Sequence, residues 1–246
     1  MTDVRETTLR RLHGDPERYL TEYTARFGNV LNADDAATLF DEYNADRARY
    51  RVAVHPAATW IRDELFRRAL GVRAPQGRNR VVFTAGSNAA GKSTAIEFSA
   101  ARTLAQCVFD STLSNPEHAE TLIRQALTAD KRISIVHVNR PLDDALLGML
   151  ERGRHEGRVV TIEQMIRSHR GAAETVQSLW GNFRNDFRFE FIFVANSSDL
   201  GARNVSVESV SPKDYTEIRE LLNGILDTEL RTGRLDETTY RQVLRR

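Results

Sequence analysis

The sequence is poor in cysteine, in surplus charge and in long apolar runs. Its single cysteine, Cys107, excludes a disulfide framework within the chain. The 35 basic and 34 acidic side chains leave a net charge of +1, without the basic surplus of a nucleic-acid binder with a large footprint. No apolar run reaches membrane-spanning length, and residues 1–14 lack the apolar segment of a signal peptide. We therefore expect a cytoplasmic globular protein that acts on neither membranes nor nucleic acid.

The histidines do not form a metal-binding pattern. His118, His155 and His169 lack the spacing of metal ligands, and Cys107 has no second thiol beside it. His137 alternates into an apolar run and is interpreted as a hydrogen-bonded histidine of the core. We therefore expect no zinc site.

One stretch carries a specific functional signal, VVFTAGSNAAGKST at residues 81–94. Gly86, Gly91, Lys92 and Ser93 match the P-loop pattern, with four residues between the two glycines. The apolar, β-branched run at residues 80–85 predicts a buried parallel strand, and residues 93–105 predict a helix. Strand, glycine-rich loop and helix thus follow one another in the order that a P-loop requires.

The chemistry of such a loop is phosphate binding. Its glycines allow backbone N–H groups to approach a phosphate chain closely. Lys92 is expected to reach the β- and γ-phosphates, and the Ser93 hydroxyl to bind Mg²⁺. The expected cofactors are ATP and Mg²⁺. The residues predicted to bind the nucleotide are Gly86, Ser87, Asn88, Ala89, Ala90, Gly91, Lys92, Ser93 and Thr94.

Strands alternate with helices beyond the loop. Strands are predicted at residues 106–110, 132–138, 188–195 and 205–210, and helices at residues 116–129, 141–150, 161–183 and 215–230. The alternation predicts an α/β fold with a mostly parallel sheet and helices on both faces, and the P-loop at residues 86–93 makes it a fold of the P-loop NTPase/kinase type. Residues 1–79 are predicted to be a helical N-terminal segment packed on the core, and residues 80–246 the P-loop kinase-like α/β domain.

Local patterns refine the helical regions. Ala36, Phe40 and Tyr43 belong to a series at three- and four-residue steps, which predicts one helix over residues 34–50. Pro56 is expected in the first turn of the next helix, where its missing N–H costs nothing. Gly171 is a candidate interruption of the helix at residues 161–183.

Three further sets of side chains are candidates for the active site. Asp110 ends a predicted strand eighteen positions after Lys92, where a carboxylate binds Mg²⁺ or accepts a substrate proton. A loop or helix-capping aspartate is the alternative. Thr112 is either a substrate contact or a turn residue. Three arginines crowd one segment and form either a lid over the γ-phosphate or a solvated charged run: Arg152, Arg154 and Arg158.

Over residues 29–198 the chain resembles the zeta-toxin family of P-loop kinases. The resemblance includes the P-loop and, before it, NVLNADDAATLFDEY and the later Val54-His55-Pro56. After the P-loop it includes FDSTLSNPEHAETLIRQAL, the strand RISIVHV with Pro141, GRVV at residues 157–160 and FVANS at residues 193–197.

The resemblance implies an ATP-dependent kinase that phosphorylates a hydroxyl of a small molecule, such as a nucleotide sugar or a dinucleotide. It also implies an antitoxin protein as a possible partner. Carried over position by position, the resemblance implies that Lys92 binds phosphate and Ser93 binds Mg²⁺. Asp110 corresponds to the family's acid before a Thr-Leu pair. Arg158, with Arg152 or Arg154, stands at the lid, so Lys92, Asp110 and Arg158 are the implied catalytic residues.

Two departures from the family pattern leave alternatives open. The interval between the P-loop helix and the Thr-Leu pair is too short for the extra strand and aspartate that family members usually carry. Either Asp110 serves both acidic roles or the usual base is missing. Ser114 follows Thr-Leu where the family has arginine. The competing functions are a polynucleotide or RNA-end kinase on the same core, and a nucleotide-binding switch that transfers no phosphate.

Overall fold

The computed structural model describes residues 2–74, 78–97, 103–156 and 160–244. Its strands form one sheet in the order β1-β3-β2-β4-β5-β6. Neighbouring strands from β1 to β5 are parallel, and β6 is antiparallel to β5. The strands are β1 Val30–Leu31, β2 Arg80–Ala85, β3 Cys107–Phe109, β4 Arg132–Asn139, β5 Phe189–Ser197 and β6 Gly201–Asn204.

Helices cover both faces of this sheet and precede it in the chain. They are α1 Thr2–Gly14, α2 Pro16–Phe27, α3 Ala33–Ala37, α4 Asp41–Ala45, α5 Arg47–Gly71, α6 Lys92–Glu97, α7 Pro116–Thr128, α8 Leu142–Glu156, α9 Ile162–Phe183, α10 Tyr215–Arg231 and α11 Glu237–Leu244. The predicted α/β class, with a mostly parallel sheet and an N-terminal helical region, is confirmed. Within the described residues, no helix is both long and apolar enough to cross a membrane.

The central strands form because their side chains are apolar on both faces. Alternate residues of a strand point to opposite sides of a sheet. Phe83 of β2 therefore packs with Phe109 and Phe66 on one side, while Val82 packs with Val136 on the other. The Phe66 ring, from α5, lies 5.1 Å from the Phe109 ring, so the N-terminal region shares a core with the sheet. The division of the chain at residues 79 and 80 stays a prediction.

The N-terminal region departs from the predicted helix pattern. Residues 34–50 form parts of three helices: α3 ends at Ala37, α4 ends at Ala45, and Asp46 then caps α5 by accepting a hydrogen bond from the Arg49 N–H. Pro56 lies inside α5 and not in its first turn. Because proline has no N–H, the Val52 carbonyl receives no hydrogen bond from position 56, and the helix continues past this residue at the exposed Val52. The strand β1 also interrupts this otherwise helical region.

Two further local predictions are wrong. Residues 205–210 do not form a strand: β6 comes earlier, and Val207–Ser209 is a 3₁₀ turn leading to the buried Val210. Gly171 does not interrupt α9. A Cβ there would lie 2.2 Å from the Ser114 carbonyl oxygen, so the glycine allows a loop to approach the helix closely.

Candidate active site

Four strand ends bring distant parts of the chain to one edge of the sheet. Asn32, Gly86, Asp110 and Arg140 are the first residues after β1, β2, β3 and β4. Because these strands are parallel, their carboxyl ends lie at the same edge, which is where ligands bind in open α/β sheets.

A cavity of about 500 Å³ opens at this edge. Much of the P-loop lines it, together with Asp110, Thr112 and Arg152, so the structure brings these predicted site residues together. The wall also contains residues that sequence reasoning did not assign to the site. Those with charged or strongly polar side chains are Asn32, Asp34, Arg51, His55, Arg62, Gln164 and Arg167.

The two P-loop glycines are required by close contacts and by backbone conformation. Gly86 has a φ of 137°, and a Cβ there would lie 2.3 Å from the Val138 carbonyl oxygen. Gly91 has a φ of 81°, and a Cβ there would lie 2.3 Å from Nδ2 of Asn196. Other residues rarely adopt such φ values, so the loop shape depends on glycine at both positions.

Side chains from outside the loop hold its crest. Nδ2 of Asn196 donates to the Ala90 carbonyl at 2.9 Å, and Nη1 of Arg140 donates to the Ala89 carbonyl at 3.1 Å. The Asn88 N–H donates to Oγ of Ser168 at 3.2 Å. The roles of Arg140 and Ser168 have no local sequence signal, because each depends on which element lies beside the loop.

Lys92 turns back onto the loop. Its Nζ donates to the carbonyl oxygens of Ser87, at 2.9 Å, and Gly86, at 3.3 Å. Burial lowers the pKa of Lys92, and the charge of Arg152 lowers it further, whereas Asp110 and Asp34 raise it. The hydroxyl of Ser87 is buried and has no hydrogen-bond partner within the described residues. A desolvated ammonium and an unused hydroxyl suit an anion that binds in the loop.

Both carboxylate oxygens of Asp110 accept a hydrogen bond. Thr84 donates its hydroxyl to Oδ1 at 2.7 Å, and Asn32 donates its amide Nδ2 to Oδ2 at 2.7 Å. The residue is only 8% exposed. Each oxygen keeps a further lone pair, so the fixed carboxylate remains able to accept a proton or bind a cation.

The remaining predicted residues are placed differently. Thr112 lines the cavity, with its hydroxyl 2.9 Å from the Ser114 hydroxyl. Arg152 reaches the wall from α8. Arg154 pairs with Glu151 at 2.7 Å and is not part of the cavity wall. Arg158 lies outside the described residues.

A second acidic position lies near Asp110. Burial raises the pKa of Asp35 to about 6, and the negative charges of Asp110 and Asp34 add to this shift. Asp34 itself lines the cavity. The described residues contain no group of three or more His, Cys, Asp or Glu side chains that could hold a metal ion.

His137 is buried as expected, but it is not fully hydrogen-bonded. Its Nδ1 has no hydrogen-bond partner in the part of the chain that the structure describes. Burial lowers the pKa of His137 to about 4, and the charges of His169 and Lys92 add to the shift. The side chain is therefore a neutral core histidine at physiological pH.

Residues 99–200 match the model of the zeta toxin family, which confirms the predicted resemblance. The P-loop, residues 86–93, precedes the matched segment. No curated protein matches the chain significantly.

Among solved structures, similar chains occur in the crystal structures of AvrRxo1-ORF1:AvrRxo1-ORF2 with sulphate ions and of AvrRxo1-ORF1:-ORF2 with ATP. Identity is 12% in both, and the TM-scores are 0.46 and 0.43. In each case the alignment covers 64% of this chain and 66% of the other.

Proposed function

We propose that this protein is an ATP-dependent phosphotransferase that moves the γ-phosphoryl group of ATP to a hydroxyl of a small molecule, such as a nucleotide sugar or a dinucleotide. One observation carries the proposal: the P-loop lysine Lys92 and the fixed carboxylate of Asp110 lie in the wall of the same cavity. Transfer to an alcohol requires a cation at the phosphates and a proton acceptor near the hydroxyl. The match to the zeta toxin family supports the same reaction class.

The loop fits the triphosphate of ATP. Gly86 and Gly91 supply the tight backbone shape, and the buried Ser87 hydroxyl has no other hydrogen-bond partner among the described residues. On binding, Lys92 would exchange its contacts with loop carbonyls for the more strongly attracting phosphate oxygens. Its role is to neutralise the charge that spreads over the γ-phosphoryl oxygens during transfer.

Asp110 is proposed as the proton acceptor. The acceptor oxygen forms a bond to the γ-phosphorus as the bond to the β,γ-bridging oxygen breaks, and the hydroxyl proton passes to a carboxylate oxygen of Asp110. Thr84 and Asn32 hold that carboxylate in one orientation, so little reorganisation is needed.

The site also fits Mg²⁺. Ser93 and Asp110 both line the cavity, and Mg²⁺ commonly takes one or two protein oxygens together with waters and substrate phosphates. When bound, the ion supplies positive charge to the phosphate oxygens. Arg152, with Arg158 of the undescribed segment, is proposed to close over the phosphates, and a protein antitoxin stays a prediction from the resemblance.

Phosphate transfer from γ-labelled ATP tests this proposal directly. The acceptors are a nucleotide-sugar panel, dinucleotides, a metabolite extract and an oligonucleotide with a free 5′-hydroxyl, with products identified by mass spectrometry. We expect a labelled small molecule. Labelling of the oligonucleotide alone would favour a polynucleotide kinase, and ATP binding without acceptor-stimulated ADP release would favour a switch.

A further inference from the structure

The side chain of Arg140 lies between the crest of the P-loop and helix α8. Its Nη1 donates to the Ala89 carbonyl at 3.1 Å. The same atom would lie 3.4 Å from a Cβ at Gly148, so the guanidinium packs against the backbone of α8 where that helix has no side chain. Nε of Arg140 is buried and has no hydrogen-bond partner within the described residues. Because burial of an unpartnered polar atom costs free energy, this placement indicates a role for Arg140 beyond filling space.

One side of α8 is turned towards the loop. Asp144, Gly148 and Arg152 follow one another at steps of four residues, so they share that side, which we call the loop side of α8. Hydrogen bonds from Ser198 lower the pKa of Asp144, and the charge of Arg140 lowers it further. Arg140 therefore lies near the first residue of the loop side and packs on the second. The third, Arg152, lines the cavity one turn further along.

The crest of the P-loop depends on contacts from outside the loop. Ala89 has a φ of 59°, in the left-handed region that residues other than glycine rarely adopt. Such a conformation persists when neighbouring groups hold it. Arg140 donates to the Ala89 carbonyl, and Ala89 also packs against the apolar cluster that includes Leu146 and Met149 of α8. The crest and α8 are thus joined around Arg140.

Arg152 connects this contact to the phosphate site. Burial lowers the pKa of Lys92, and the charge of Arg152 lowers it further, so the two cations lie close enough to act on one anion. Arg154, two residues further along α8, pairs with Glu151 and is not part of the cavity wall. The rotation of α8 about its axis therefore determines that Arg152, and not Arg154, reaches the cavity.

We propose that Arg140 is a positioning residue, which fixes α8 against the P-loop crest and thereby holds Arg152 beside Lys92 for binding the phosphates of ATP. The role of Arg140 rests on the proposed function, in which Arg152 closes over those phosphates. Arg140 is not among the residues that line the cavity, so it acts through Arg152 and not by touching the nucleotide. A guanidinium suits this role, because its planar group donates at one edge while it packs on the helix.

A double-mutant cycle between Arg140 and Arg152 tests this role. Binding of the β,γ-methylene analogue of ATP in the presence of Mg²⁺ is measured by calorimetry for wild type, Arg140→Gln, Arg152→Gln and the double variant. We expect Arg140→Gln to weaken binding about tenfold in the wild-type background and about twofold or less when Arg152 is already replaced, because residues that act through one another are not additive. Arg132→Gln is the matched control, since Arg132 begins the strand that Arg140 follows, is exposed and lies outside the cavity wall.

Two results of the cycle overturn the inference. If Arg140→Gln binds the analogue as tightly as Arg132→Gln, Arg140 has no part in nucleotide binding. If Arg140→Gln weakens binding by the same factor with and without Arg152, Arg140 does not act through Arg152. Melting temperatures of all variants show whether Arg140→Gln remains folded.

Gly148 gives a second reading that leaves Arg140 in place. A leucine at this position needs the space that the guanidinium occupies, so Gly148→Leu should weaken binding of the analogue about as much as Arg140→Gln, again only while Arg152 is present. Gly148→Ala is its control, because a Cβ at 3.4 Å from Nη1 still fits. Unchanged binding by Gly148→Leu overturns the inference even if Arg140→Gln does not fold.

Phosphate transfer from γ-labelled ATP distinguishes failure of this role from failure of the proposed function. The binding cycle needs no transfer, so non-additive binding without any labelled product leaves the positioning role standing and overturns the kinase. Labelled product together with additive binding losses leaves the kinase standing and overturns the positioning role. Absence of binding of the analogue to wild type overturns both.

Discussion

The side-chain amide of Asn32 lies 2.7 Å from Oδ2 of Asp110, joining the ends of two strands whose residues are 78 positions apart. The Oδ1 atom of the same amide accepts hydrogen bonds from the N–H groups of Asp34, at 2.7 Å, and Asp35, at 3.4 Å. One side chain therefore caps α3 and orients the proposed proton acceptor. Through this contact the N-terminal region contributes to the candidate active site as well as to the core.

Asn32→Ala tests this positioning role. The substitution removes the donor to Asp110 and the cap of α3, so we expect a stability loss of about 1 kcal/mol. We also expect a fall in kcat of about tenfold, because Asp110 loses one of the two hydrogen bonds that orient its carboxylate. The KM for ATP should change little, because the P-loop is unaltered. Asn29→Ala is the control, since Asn29 is exposed and contacts the backbone of Ala105 instead. A matching fall in that variant would show a purely structural effect.

Lys92→Ala tests the phosphate site. Removal of the ammonium should lower turnover on the order of a hundredfold or more, by analogy with other lost transition-state donors. The fold should remain, because Lys92 bonds only to the P-loop itself among the contacts described. Lys213→Ala is the matched control on an exposed lysine outside the cavity. If Lys92→Ala turned over nearly as fast as Lys213→Ala, the proposed kinase activity would be contradicted.

Asp110→Asn separates a proton acceptor from a metal ligand. An amide cannot serve as an effective base, so loss of the base predicts intact Mg·ATP binding and a fall in transfer of about 10²- to 10⁴-fold. Loss of a metal ligand instead predicts weaker Mg·ATP binding that excess Mg²⁺ partly restores. We expect the first result, because Ser93 already offers a metal ligand in the cavity. Mg·ATP binding and turnover, measured across a Mg²⁺ titration, decide between the two roles. Full activity of Asp110→Asn would show that Asp110 has neither role in the reaction.

Gly171→Ala tests the close approach of α9 to the loop at Ser114. The added Cβ would lie 2.2 Å from the Ser114 carbonyl oxygen, so we expect a loss of about 1–3 kcal/mol in the free energy of unfolding. Gly181→Ala is the matched control on the same helix, where nothing lies within 4 Å. That variant should gain about 0.5–1 kcal/mol from helix propensity. Urea unfolding of both measures the difference, and equal effects would contradict the packing described.

The raised pKa of Asp35 predicts a pH-dependent stability. The folded protein holds the proton of Asp35 up to about pH 6, whereas the ordinary pKa is 3.8. This stabilisation is complete below about pH 4 and is lost as the pH rises through 6. The pKa shift of Asp35 corresponds to a contribution of at most a few kcal/mol to the free energy of unfolding. Because the side chain is partly exposed, solvent screening reduces this contribution to about 1 kcal/mol.

The difference between wild type and Asp35→Asn isolates this contribution. His137 and His169, whose pKa values burial lowers to about 4, contribute a slope of the opposite sign, and the subtraction removes it. Denaturant unfolding at pH 4, 5, 6 and 7 provides the measurement. If wild type does not lose stability relative to Asp35→Asn over this range, the carboxyl is not buried beside Asp110.

Several features were predictable from sequence because their causes are local. The P-loop pattern is contiguous, and its glycines are needed where the backbone takes φ values of 137° and 81°. The run at Arg80–Ala85 is apolar on both faces, so it becomes a central strand. Predictions from local patterns were wrong at positions where contacts with distant residues determine the structure. Pro56 is tolerated within α5, and Gly171 serves a close contact and not a helix break.

The P-loop, the alternating α/β order and the position of Asp110 at the end of a strand can be read from the sequence, because each follows from neighbouring residues. Which side chains face that loop depends on contacts between residues far apart in the chain. The strand β1 has two residues, too few for a periodic signal, and its pairing of Val30 with Val108 depends on the packing of the whole core. That pairing brings Asn32 to Asp110, and the packing of α5 on Phe109 brings Arg62 to the same cavity.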